Sequence, residues 1–170
     1  MESTLGAILK TELVPAGATT MKDLLNVPAS NLTLVSLQNG ATAESLKLGN
    51  SSLAQAFWAR LQESAASSPV KNFQEGVIRV TATSGTPTAY IGQTSSLVYF
   101  AKRSCQPDLT VLADDAHLGD NQYAVAVQKG SAYLAPINEA IKALKAKGKL
   151  AELKDKYWVC PCCSLAIVVE

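Results

Sequence analysis

Histidine is almost missing from this chain: His117 is the only one in 170 residues. With a single histidine, no nucleophile elbow and no phosphate-cradling glycine loop, no catalytic constellation emerges, and the chain is not expected to be an enzyme. Long apolar runs are missing too. A membrane-spanning helix needs about 20 consecutive apolar residues, and the apolar end Leu165 to Val169 falls far short. Charge of either sign is scarce. A net charge of +1 implies neither nucleic acid nor an anionic membrane surface as partner. The opening MESTLGAILKTEL lacks the basic flank and long apolar core of a secretory signal. Taken literally, that describes a soluble chain; taken as a fragment of a longer protein, it carries no weight.

Cysteine is sparse and unevenly placed. Cys105 stands mid-chain, while Cys160, Cys162 and Cys163 form a terminal CPCC run. Such a set suits a disulfide tying the last segment to the body, reduced thiols, or a metal site. C-x-C-C lacks the two-plus-two spacing of common zinc modules, so no metal or other cofactor is expected. Asp114-Asp115 reads as a solvated turn and His117 as a surface residue. Sequons at Asn31 and Asn50 slightly favour an extracytoplasmic location.

What is present is globular. Apolar residues make up 48% of the chain, enough for one domain with a sizeable core. Its organising stretch runs from Asn121 to Trp158. Tyr123, Val125 and Val127 alternate as in a strand. Lys129-Gly130 turns the chain, and Ser131 is placed to cap a helix. That helix carries Leu134, Ile137, Ile141 and Leu144 on one stripe, predicted to be buried. Gly148 ends it as a C′ residue. A second helix follows, with Leu150, Leu153 and Tyr157 on its inner side and Glu152 and Lys156 as an i,i+4 pair.

Upstream, residues 1 to 17 read as irregular, with Pro15 breaking any helix. Thr19 and Thr20 can cap a short helix carrying Met21, Leu24 and Leu25. Asn31 to Leu37 reads as a strand. Gln38-Asn39-Gly40-Ala41-Thr42 is then a strand-to-helix turn, and N–H groups at a helix start favour an anion. The plain alternative is that Thr42 caps its own helix. Ser52 opens an S-x-x-Q capping box with Gln55, before a helix burying Leu53, Phe57 and Leu61. Trp58 reads as core. A third helix carries Phe73, Val77 and Val80. Thr88 to Ile91 is a short strand, Gln93 to Lys102 a helix, and Leu109 to Leu112 another strand.

The order strand, KGS, amphipathic helix, GKL, helix, KYW resembles the end of type 3 periplasmic solute-binding proteins and of ionotropic glutamate receptor ligand-binding domains. FWARLQES and NFQEGVIRV resemble the receptor branch more closely, and TTMKDLL resembles the helix that opens the receptors' second segment. STLGAILKT, Ser3 to Thr11, resembles the junction after a pore helix. The resemblance spans residues 18 to 163. It implies an α/β, periplasmic-binding-protein-like lobe with a mixed sheet flanked by helices. Residues 1–17 would then be a pore-helix or linker remnant, 18–163 the second lobe, and 164–170 an apolar tail.

The resemblance also implies a function. The chain would be the ligand-binding second lobe of a ligand-gated cation channel, closing a cleft on a small amino-acid-like ligand. Gly40, Ala41 and Thr42 would hold the ligand carboxylate. Gln93 stands where the family has an acidic residue for the ligand ammonium, and Thr94 (with Ser95) would add hydroxyls. An amide offers only a neutral acceptor there. Cys105 would pair with Cys163, with Cys160 and Cys162 as alternatives. Such a lobe works with a first lobe and channel segments, as a homo- or hetero-oligomer on the extracellular face of a membrane. Two other readings remain: a soluble solute-binding module, and a cysteine-rich zinc or redox protein.

Overall fold

The computed structural model describes residues 2–3, 5–14, 18–65, 70–103, 108–113, 118 and 121–158. A four-stranded mixed sheet forms its centre, in the order β3-β4-β2-β5. β2 (Leu5–Lys10) runs antiparallel to β4 (Thr88–Gln93) and to β5 (Leu109–Ala113). β3 (Thr33–Ser36) lies parallel to β4 at the edge. A separate two-stranded ribbon pairs β1 (Glu2–Ser3) with β6 (Asn121–Gln122).

The first segment departs from expectation. Predicted to be irregular, it supplies a central strand, paired on both sides. Its run LGAILK does not alternate apolar with polar because both sheet faces are covered, which is how strands buried on both sides read. Leu5, Ala7 and Leu9 face one core cluster with Phe57, Leu61, Met21, Leu24 and Leu46. Ile8 faces the other, with Val80, Tyr90, Leu97, Ala101 and Val111.

The helices fall into layers accordingly. α1 (Ala41–Leu48), α2 (Ser52–Ala65) and a short 3-10 turn at Lys22–Asn26 contribute to the first cluster. α3 (Phe73–Thr81) and α4 (Thr94–Arg103) cover the second. Several caps differ from the sequence reading. Ser51, not Ser52, caps α2, accepting from the Ala54 N–H at 3.1 Å. Asp23 caps the strand of chain before it: its Oδ2 accepts from the N–H groups of Thr19 and Thr20 and from the Thr20 hydroxyl. These three bonds hold the Asp23 carboxyl below its ordinary value, the Thr20 N–H contributing most. α3 is closed reciprocally. Asn72 Oδ1 accepts from Glu75 N–H and Glu75 Oε2 from Lys71 N–H, while Glu75 also pairs with Arg79.

The last stretch corrects the sequence most. Residues 123–128 form no strand, and Tyr123 and Val125 are 53% and 60% exposed. α5 (Leu134–Ala146) and α6 (Lys149–Trp158) bury no residue, so the stripe of Leu134, Ile141 and Leu144 faces outward. A periodic apolar stripe tells which residues share a face, not whether the chain itself covers that face. Ser131 sits before α5 and accepts from the Tyr133 N–H, but the N-cap position is Tyr133. Glu152 pairs with Lys149 rather than Lys156. Gly148 does follow α5, at φ 68°, as the sequence indicated. α6 returns to the body through Trp158. Its indole N–H donates to the Ser95 carbonyl at 2.9 Å, and its ring meets Tyr99 edge-on at 5.4 Å.

Candidate functional site

The site lies where the chain leaves β3 for α1 and leaves β4 for α4. Leu37 forms one parallel bridge with Val70, and the chain then reverses through Asn39 at φ 56°. Gly40 follows as the N-cap of α1. A Cβ there would press on the Leu37 side chain and carbonyl at 3.0 Å, so the tight turn calls for glycine. Gly40 has no side chain to cap the helix, so the first-turn N–H groups of α1 have no capping side chain from that position. Thr42 lies inside the first turn and is buried, which removes the reading that it caps α1.

Four of the five expected ligand residues line one hollow of about 230 Å³. Gly40, Ala41, Thr42, Gln93 and Ser96 line it together with Phe73 and Tyr90. Phe73 and Tyr90 stack edge-to-face at 5.4 Å. Burial pushes the Tyr90 phenol above its ordinary range, offset in part by a hydrogen bond with the Leu37 backbone. Thr94 is the exception. Its hydroxyl turns inward and donates to the Leu5 carbonyl at 2.7 Å, tying α4 to β2.

Gln93 is not free to act alone. The Tyr123 hydroxyl donates to Gln93 Oε1 at 2.9 Å and lies 2.9 Å from Ser95 Oγ. Tyr123 was read from the sequence only as a residue of an alternating strand, so its bond to Gln93 was missed. Its spacing from the Lys129-Gly130 turn was visible; the direction of its side chain was not. Beside this hollow runs a wider groove, sharing the Phe73 and Ser96 wall. It is aromatic, lined by Tyr99, Phe100, Tyr123, Tyr157 and Trp158, with Arg103 over the Tyr99 ring at 5.3 Å. Among the described residues lining the two hollows, only Arg103 is formally charged.

Cys105, Cys160, Cys162, Cys163, Asp114, Asp115 and His117 lie outside the described residues. Among the described residues no cluster of potential metal ligands occurs, and no helix is long and apolar enough to cross a membrane.

Sheet order, flanking helices and a hollow at two strand-to-helix turns define an α/β lobe of the periplasmic-binding-protein type. A solved structure, the Drosophila muscle GluRIIB complex with glutamate, superposes on 94% of this chain and 60% of its own, with a TM-score of 0.74 at 22% identity. Sequence relatives carry the assignment further. Glutamate receptor ionotropic, kainate 1, of Rattus norvegicus is 30% identical over 122 residues, 72% of this chain. Glutamate receptor 3 of Mus musculus is 28% identical over 122 residues, and Ionotropic receptor 25a of Drosophila melanogaster 34% over 102. The chain belongs with the ionotropic glutamate receptors and corresponds to part of their ligand-binding domain. It spans 12% of the length of the rat receptor and 13% of the mouse one. No protein-family model matches it. These relatives are receptors rather than enzymes, in line with the lack of catalytic residues in the sequence.

Proposed function

We propose that this chain is the second lobe of a receptor's ligand-binding domain and that it holds a small, amino-acid-like carboxylate at the start of α1. The observation that carries the reading is the shared hollow, lined both by the helix start at Gly40-Ala41-Thr42, which has no side-chain cap, and by Gln93. Helix N–H groups and the dipole favour an anion there. Thr94 keeps a structural role beneath the site. A first lobe completes the cleft, and the outward stripe of Leu134, Ile141 and Leu144 supplies apolar surface against which it would pack. Ligand bridging two lobes favours the closed cleft by its differential affinity for that state, and closure would pull on linkers to a cation channel in an oligomer at the membrane's extracellular face.

The test is a backbone chemical-shift titration of the chain with a set of two- to five-carbon carboxylic acids, amino and non-amino. At least one acid should move the Ala41, Thr42 and Ala43 amides saturably. Ala41→Asp should then weaken that binding at least tenfold. The new carboxylate would occupy the helix start itself, while adding about 0.3–1 kcal/mol of helix stability. Binding lost without loss of fold marks the anion site. Absence of saturable shifts at these amides with every acid would refute the reading.

A further inference from the structure

Resting on that site, we propose that the second polar subsite, at Gln93, selects a hydrogen-bond acceptor in place of an ammonium, and that Tyr123 enforces the choice. The phenol of Tyr123 has one proton. It is committed to Gln93 Oε1, so in the 2.9 Å contact with Ser95 the serine hydroxyl must donate. The relay therefore runs from Ser95 to Tyr123 to Gln93. It takes one lone pair of the Gln93 amide oxygen, and the amide keeps a second lone pair and the two N–H donors of Nε2.

Donors are what an ammonium cannot use. An ammonium carries three donors and no acceptor, so opposite Nε2 it would face like partners and leave both unpaired. Among the described residues no carboxylate lines either hollow, and the charged one is the cation Arg103. The helix start adds positive potential. The amide N–H groups and the helix start thus both favour oxygen acceptors, while the Thr42, Ser95 and Ser96 hydroxyls serve either kind of partner. The ligand class that fits is a small acid bearing a carbonyl, hydroxyl or second carboxylate where an amino acid bears its ammonium.

The probes are L-glutamate and 2-oxoglutarate, which share a carbon skeleton and differ at that one group. In the titration of the whole chain, 2-oxoglutarate should bind several-fold tighter, the scale of one hydrogen bond. It should also shift the Gln93 side-chain NH2 resonances along with the Ala41–Ala43 amides. Tyr123→Phe frees Oε1, lets the amide turn, and should shrink the preference; Gln93→Glu should reverse it. Equal binding, or tighter glutamate binding, overturns the acceptor subsite while leaving the carboxylate site standing. A preference unchanged in Tyr123→Phe overturns the role of Tyr123. If neither probe moves the Ala41–Ala43 amides, both this inference and the site beneath it fall.

Discussion

Gly76 sits in the middle of α3, where alanine should be the better helix former by about 1 kcal/mol. The structure predicts the opposite outcome for Gly76→Ala. A Cβ at this position would run into Cδ2 and Cε2 of Tyr90. That ring cannot easily step aside: it is 3% exposed and Phe73 meets it edge-on at 5.4 Å. Overpacking a core typically costs 1–3 kcal/mol, and direct overlap with two ring carbons belongs at about 3. Subtracting the propensity gain leaves a net loss of about 2 kcal/mol. In a chain this long that lowers Tm by roughly 4–8 °C. Urea unfolding of wild type and variant measures it, with the same change made in a Tyr90→Leu background as control. Without the ring, Gly76→Ala should be neutral or stabilising. If the single variant is as stable as wild type, or the double variant shows the same loss, the contact with Tyr90 is not why glycine stands in EGVIRV. Because Tyr90 also lines the candidate hollow, a displaced ring should disturb the Ala41–Ala43 amides as well.

Two further outcomes follow from hydrogen bonds at the edges of the fold. Thr94→Val, nearly isosteric, removes the bond to the Leu5 carbonyl and should cost about 1 kcal/mol, read from chemical denaturation, whereas Thr94→Ser should retain most of the stability. Asp23→Asn should be less stable than wild type at neutral pH. The Asp23 carboxyl is held below its ordinary 3.8 in the folded state, so its contribution is present above that value and is lost as pH falls through the folded one. The gap between the two proteins in thermal melts should therefore close in acid.

Where a stretch makes its contacts within itself or with near neighbours, its sequence was readable. Asn31 to Leu37, NFQEGVIRV and the helix ending before Gly148 carry their period and their stop signals locally, and each forms the expected type of element. The hollow was legible in part for the same reason. A glycine turn before a helix is a local signal, and Gly40, Ala41, Thr42 and Gln93 line one hollow. Three things were not local. LGAILK has no strand alternation because helices cover both faces of the sheet, a fact about its neighbours. The α5 stripe is apolar but uncovered, since period reveals a face and not its occupant. Thr94 and Tyr123 both make distant contacts. The threonine at the helix start bonds a carbonyl 89 residues back, and the tyrosine read as part of a strand reaches Gln93.

The place of β2 in the sheet has a consequence for how the protein is made. Lys10 pairs with Leu109, and the neighbouring Thr11 and Thr110 side chains bond across 99 positions of sequence. A ribosome adding about 5–20 residues per second needs some 5–20 s to cover that distance. Until Thr88–Gln93 has been made, Leu5–Lys10, one of the most apolar stretches of the chain, has neither of its sheet partners. β3 and β4 cannot shelter it sooner, because Thr88–Gln93 is itself synthesised late. The sheet thus closes around its oldest strand last, and during synthesis that strand is the segment most in need of a chaperone.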